Sequence, residues 1–262
     1  MELLSWVNFR FVLNGSCQWG EDMIGHRIRE AAHTAAIATS FIFLFAIVAL
    51  AQDRQTQGSF AQDRRQNTPG QFDFYVLALS WSPSFCEASQ ERAPNRAPDQ
   101  QCSGRPFAFV VHGLWPQYEQ GFPAFCQVPA PRLDRTIVGG MLDLMPSPRL
   151  IFHEGDRHGT CSGFSAHGYF ETVRKARALV KIPADYLELD KPIMVTPDEV
   201  AEAFVKANPG LSRASVAVAC DSKRLSEIRV CFGKDFAFHE CAEVTRRACR
   251  RDKIAMPAVR GG

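Results

Sequence analysis

The sequence predicts an α+β fold: a single domain with a central, mainly antiparallel β-sheet flanked by helices and stapled by disulfides. Three observations carry this. Strand-like runs at 72–81, 107–112, 215–220 and 225–232 do not alternate regularly with helical segments, which disfavours a doubly wound sheet. The last two runs flank Asp221-Ser222-Lys223-Arg224, a hairpin turn. Eight of the nine cysteines lie downstream of an export signal, where cysteines form bridges.

The chain has 262 residues, 46% hydrophobic and 22% charged, enough for one domain with a full core. Ala35 to Ala51 reads AAIATSFIFLFAIVALA behind Arg27 and Arg29, a secretory signal with an A-x-A site cut after Ala51. A membrane anchor is the alternative, but the run is short of the roughly 20 residues needed to span. Residues 1–22 are mixed in charge and hold Trp6, Trp19 and Cys17. Met23 is the better start, since Met23 to Ala51 forms a 29-residue signal and leaves eight cysteines. Gln52 to Gln71 reads as a flexible lead-in. Residues 1–51 hold three Lys/Arg and four Asp/Glu, leaving 27 against 24, or +3. A protein holding long nucleic acid by charge alone is far more basic, so any nucleic acid would be gripped locally.

Phe72 to Trp81 is nearly continuous in apolar and aromatic residues, the pattern of a strand buried on both faces. Ser82-Pro83 is expected to end it, and Cys86 to Cys102 to be loop. Phe107 to His112 reads as a strand stopped by Gly113 and Pro116. Leu133 to Met145 has helical spacing but contains Gly139-Gly140. Leu150 to Cys161 sits on a helix or helix start. Ser165 to Lys181 is helical, with Tyr169, Val173, Ala176 and Val180 as its apolar stripe. Thr196-Pro197 starts a helix to about Ala207, with Thr196 as N-cap. The basic tail from Arg246, residues 250–262 above all, is expected to be loose beyond Cys249.

Two stretches carry chemistry: FVVHGLWPQ (109–117) and HEGDRHGTC (153–161). His153 and His158 superficially suggest a zinc-protease motif. They are five apart, about 140° around a helix, where that motif needs i and i+4. No metal or other cofactor is expected. Glu154, Arg157 and His158, at i, i+3 and i+4, share a face. Arginine binds phosphate oxygens through a planar fork and histidine titrates near neutrality. With His112 delivered by a strand, two imidazoles can flank one phosphate. That suits RNA cleavage through its own 2′-hydroxyl: one imidazole takes the 2′-OH proton, the other protonates the leaving 5′-oxygen. The bland alternative is that the histidines only satisfy core hydrogen bonds. His167 and His239 lie outside both stretches and read as surface or structural residues; His26 and His33 belong to the signal.

On these two stretches, and on FDFYVLALSWSPSFC (72–86), the sequence resembles the ribonuclease T2 family over Phe72 to about Cys249. The resemblance implies that family's fold, with 72–249 as its domain. It implies His158 as general base, His112 as general acid, His153 as a phosphate-binding histidine, and Glu154 with Arg157 stabilising the phosphorane. Trp115 would be a base platform. Gln117 stands where some members select adenine with a carboxylate. It also implies the pairs Cys86–Cys102, Cys126–Cys161, Cys220–Cys249 and Cys231–Cys241; spacing alone leaves 105 connectivities open. The family usually has tryptophan at the place of Gly155, and lysine at that of Arg157. Loss of the ring beside the site puts local packing and base preference in doubt. The implied protein is a monomeric, secreted or bacterial periplasmic endoribonuclease that cuts single-stranded RNA, spares DNA and keeps no membrane association once its signal is cleaved. The alternatives are a non-catalytic RNA-binding or inhibitory relative on the same fold, and a metal-dependent phosphodiesterase.

Overall fold

The computed structural model describes residues 66–259; the signal segment, Cys17, His26, His33 and the alternative start Met23 lie outside the described residues. Strands β1 (Phe74–Trp81), β2 (Phe109–Gln117), β4 (Val216–Cys220) and β5 (Leu225–Phe232) form an antiparallel sheet in the order β2-β1-β5-β4. The apolar run of β1 is buried on both faces. Tyr75, Leu77, Leu79 and Trp81 join the main core, while Phe74 and Val76 meet Ala217, Cys231 and Val244 on the reverse face. Helices α1 (Ser82–Arg92), α2 (Arg135–Met141), α3 (Pro148–Arg157), α4 (Ala166–Leu179), α5 (Pro197–Ala207) and the short α6 (Ala242–Arg246) flank the sheet. Tyr169 and Val173 of α4 and Val200 and Phe204 of α5 are fully buried in that core. Ser165 caps α4 through Gly168 N–H, and Thr196 with Glu199 forms a capping box on α5.

Four expectations need correcting. Ser82-Pro83 does not lead into a loop. It opens α1, because a proline in the first helical turn forfeits no intrahelical bond. Gly113 and Pro116 do not stop β2. It is an edge strand, where a missing ladder N–H is tolerated. The helix expected over 133–145 is only Arg135–Met141, capped by Asp134. The tail is not loose: β6 (Ile254–Met256) pairs with β3 (Ile193–Val195), Ile254 and Met256 are fully buried, and Trp81 Nε1 donates to Pro257 O at 3.1 Å. The charged run at 246–253 masks an apolar strand that completes the core. The last residues of the lead-in are also tied down: Gly70 N–H donates to Cys161 O, and Asn67 Oδ1 accepts from Ala124 N–H.

Among the described residues the disulfides are Cys86–Cys102, Cys126–Cys161, Cys220–Cys249 and Cys231–Cys241, the pairs implied by the resemblance. No helix of the described residues is long and apolar enough to cross a membrane.

Candidate active site

The β1–β2 register places Ala78 opposite Gly113 and Leu79 opposite Val111, so His112 is an extra residue with no partner across the ladder. Such a bulge re-aims one side chain out of the pleat, and His112 turns to the reverse face of the sheet. There it meets two carboxylates. Its Nδ1 bonds Glu227 Oε1 on β5, and its Nε2 lies 3.7 Å from Glu154 Oε1. Glu227 Oε2 accepts from Arg229 Nε and Nη2 at 3.1 and 3.0 Å. Glu154 Oε2 accepts from Trp115 Nε1 at 2.8 Å. Glu154 reaches the sheet only because residue 113 is glycine: a Cβ there would lie 1.9 Å from Glu154 Oε2 and 2.5 Å from Trp115 Nε1.

The last turn of α3 supplies the opposite wall. His158 caps that helix, with its N–H bonded to Glu154 O, so the two side chains lie one turn apart. Its ring sits 5.5 Å from Trp115 and 6.3 Å from Phe122. Its Nδ1 is buried without a hydrogen-bond partner. The Arg157 guanidinium lies over the rings of Phe122 and Phe125 at 5.6 and 5.7 Å. Phe125 holds a left-handed backbone (φ 53°), its N–H bonded to Arg157 O, and Cys126–Cys161 staples the next residue to the end of the motif. Two aromatic faces therefore orient Arg157 while leaving its N–H fork available for an anion.

His112, Trp115, Gln117, His153, Glu154, Arg157 and His158 all line one cleft of about 350 Å³. His153 lies exposed at its edge, and the Gln117 amide donates to Pro116 O. The sequence reading missed Glu227, Arg229, Gly113, Phe122, the α6 residues Glu243 and Val244, and Arg247 at the end of that helix, which also line or shape the cleft. The signal for Glu227 was available: two charges, Glu227 and Arg229, two apart on one face of an otherwise apolar strand must find partners. The concern about Gly155 also needs correcting. A side chain there would point away from the cleft into the core, meeting Leu133 Cδ1 at 3.1 Å and Phe170 at 3.5 Å. His167 is exposed and pairs with Glu171, and His239 packs on Phe74; neither lines the cleft.

The electrostatics separate the two imidazoles. Burial depresses His112, but the bond and charge of Glu227 and the charge of Glu154 outweigh it, so its pKa lies above 6.5. Burial, then the charges of Arg157, His112 and His153, push His158 down to about 3. Burial and the charge of Arg157 also lower His153. Burial raises Glu227, yet the bond and charge of His112 and the Arg229 guanidinium bring it down to about 2. Burial lifts Glu154 to about 7 against the charge of His112 and the Trp115 hydrogen bond. Near neutral pH the cleft thus holds a neutral His158, an ionised Glu227 and a half-titrated Glu154, with His112 shifted towards its protonated form. Among the described residues no three His, Cys, Asp or Glu side chains are arranged to hold a metal ion.

Comparison with known proteins agrees with this arrangement. The chain is 44% identical over 108 residues to a ribonuclease of Aeromonas hydrophila, covering 41% of this chain and 46% of that protein. It is 30% identical over 185 residues to a probable ribonuclease of Haemophilus influenzae, covering 67% of this chain and 63% of that one. The matches thus span about half to under two-thirds of those relatives. In fold it is similar to the RNase-related protein from Calystegia sepium (TM-score 0.57, 20% identity, covering 72% of this chain and 98% of that one). It is also similar to trichomaglin, described as an S-like ribonuclease (TM-score 0.58, 21% identity, 72% and 100%). The family model described as the ribonuclease T2 family matches residues 72–241, and the chain belongs to that family.

Proposed function

We propose that the chain is an exported, metal-independent endoribonuclease that cleaves single-stranded RNA by transesterification. The observation that carries this is that His112, bonded to Glu227, and His158, beside Arg157, face one cleft, with surroundings that shift the first imidazole towards its protonated form and the second towards its neutral form. Neutral His158 accepts the proton of the substrate's 2′-hydroxyl, whose oxygen attacks the adjacent phosphorus. Protonated His112, held by Glu227, donates to the departing 5′-oxygen as its bond to phosphorus breaks. The products are a 2′,3′-cyclic phosphate and a 5′-hydroxyl. Water then opens the cyclic ester to a 3′-phosphate with the two roles reversed.

The field of Arg157 that depresses His158 in the free protein is offset by the negative charge of a bound phosphate, which makes His158 more basic once substrate is present. Arg157 donates to the phosphorane oxygens. Glu154, with a pKa of about 7, donates a hydrogen bond to the same oxygens while protonated. His153 at the rim binds phosphate. Trp115 and Phe122 present rings to a splayed base, which favours single strands. DNA lacks the nucleophile. The Ala35–Ala51 segment supports export to a periplasmic or extracellular space.

The test is a digest of a defined single-stranded RNA in excess EDTA, with end-group analysis, for wild type and His158→Ala. Cyclic-phosphate ends in EDTA, lost in the variant, are expected. Cleavage that needs metal or cuts DNA equally overturns the mechanism. No cleavage by the disulfide-intact protein would favour a non-catalytic RNA-binding relative.

A further inference from the structure

The five residues of α6 are too few to form a helix on their own. Two disulfides clamp the segment to the reverse face of the sheet. Cys231–Cys241 ties its start to β5, and Cys220–Cys249 ties the residues after it to β4. Cys249 N–H also donates to Val218 O at 2.7 Å, and Val244 and Ala248 pack in the small core of Phe74 and Val76. What the clamped segment turns to solvent is mostly arginine: Arg246, Arg247, Arg250 and Arg251 are all exposed. Arg247 pairs with Glu243 at 2.5 Å, and Glu243 also accepts from the N–H of Gly121, the neighbour of Phe122. Among the described residues no carboxylate pairs with Arg246, Arg250 or Arg251. Arg250 Nη2 folds back to Arg246 O at 3.4 Å, which keeps its guanidinium at the end of the helix. Glu243, Val244 and Arg247 line the active-site cleft, so this arginine surface begins in the cleft wall and continues out of it.

We infer that this surface carries the RNA strand on the 5′ side of the cut, with Arg247 on the first phosphate upstream of the cleaved nucleotide and Arg246, Arg250 and Arg251 on those beyond it. The inference rests on the proposed cleavage reaction, which sets the direction. His158 takes the 2′-OH proton, so the nucleotide carrying that hydroxyl occupies the cleft. The bond that breaks lies at His112, so the preceding part of the strand leaves by another wall. The wall made by α6 holds Arg247 and opens onto the unpaired arginines. Guanidinium groups bind phosphate oxygens through their N–H forks. A segment fixed at both ends by disulfides presents those forks without having to be ordered by the strand. The charge is concentrated in one place, in keeping with a chain of small net charge.

The test uses deoxyoligonucleotides with one ribonucleotide, so each is cut at one position, with one nucleotide 3′ of it and none to four on the 5′ side. We expect kcat/KM to rise at least tenfold from none to four 5′ nucleotides. The triple variant Arg246→Gln, Arg250→Gln, Arg251→Gln should lose most of that gain. It should still cut the shortest substrate within twofold of wild type and respond to added 3′ nucleotides as wild type does. On the longest substrate, the log–log salt slope of wild type should be steeper than that of the variant by about 2, from about 0.7 at each of three single-strand phosphates. Equal rates at all 5′ lengths, a 5′ gain that survives in the variant, or an equal loss of response on both sides of the cut overturns the inference. Anisotropy with deoxy strands ending in a 3′-phosphate, the shape of the cleaved product, separates this from the activity. If no substrate is cut but affinity for these strands climbs with length and falls in the variant, the arginine surface stands and the cleavage reading fails. If affinity ignores length, the surface falls too.

Discussion

Replacing Glu227 by glutamine isolates the contact on which the assignment of His112 depends. The substitution keeps the side chain's shape and removes the charge that bonds His112 Nδ1 and accepts from Arg229. Glu227 is held at about 2 against an ordinary 4.5. At about 1.4 kcal/mol per unit that is roughly 3 kcal/mol of coupling, shared between His112 and Arg229. If half falls on His112, its imidazolium loses about 1.5 kcal/mol, an order of magnitude in the protonated-to-neutral ratio. His112 acts as the acid, so activity falls as pH rises through its pKa, and this basic limb moves to lower pH in the variant. The assay is kcat/KM against pH on a dinucleoside phosphate. We expect a neutral-pH loss of about 10- to 100-fold and a basic limb displaced downward by about one unit. An unchanged basic limb with an unchanged rate would refute the reasoning.

The remaining predictions concern stability and the departures from the family pattern. Glu227 has a depressed pKa, so its contribution is present above about 4.5 and is lost as pH falls towards about 2. The loss of stability across that window should be smaller in Glu227→Gln, which starts from a lower stability, measured by urea unfolding at each pH followed by circular dichroism. Glu154 has the opposite sign. Its pKa is raised from 4.5 to about 7, so its ionisation increasingly destabilises the fold as pH rises between those values. Glu154→Gln should therefore stabilise the protein at pH 8 by up to about 3 kcal/mol in urea unfolding while lowering kcat; a variant no more stable than wild type would contradict this. Restoring the family's ring with Gly155→Trp should overpack the core at Leu133 and Phe170 and cost about 1–3 kcal/mol or more. Base preference in a competition digest should stay the same.

The fold was largely legible because its strands and caps obey local rules. The apolar run of β1, the hairpin at 221–224 and the Thr196 cap each depend on near neighbours. What the sequence reading lost depends on distant ones. A Ser-Pro pair both ends a strand and begins a helix, and only the packing of α1 against the sheet decides which. The tail strand at 254–256 follows a basic run, and its partner lies some sixty residues earlier. The site followed the same division. His112, Trp115 and the 153–161 residues were recognisable as motifs, whereas Glu227 lies 115 residues from the histidine it bonds. The bulge that lets His112 meet it is a property of register rather than composition. The direction in which residue 155 points was likewise invisible without the helix's packing against Leu133 and Phe170.

The central claim is that one fold drives two imidazoles in one cleft to opposite proton states. Histidine-selective ¹⁵N NMR of the ligand-free protein across pH tests it most directly, with His112→Asn and His158→Asn for assignment. The account predicts His112 titrating above 6.5 and His158 remaining neutral down to the acid limit, near 3. Both imidazoles titrating together near 6.5, or His158 titrating above His112, would contradict it.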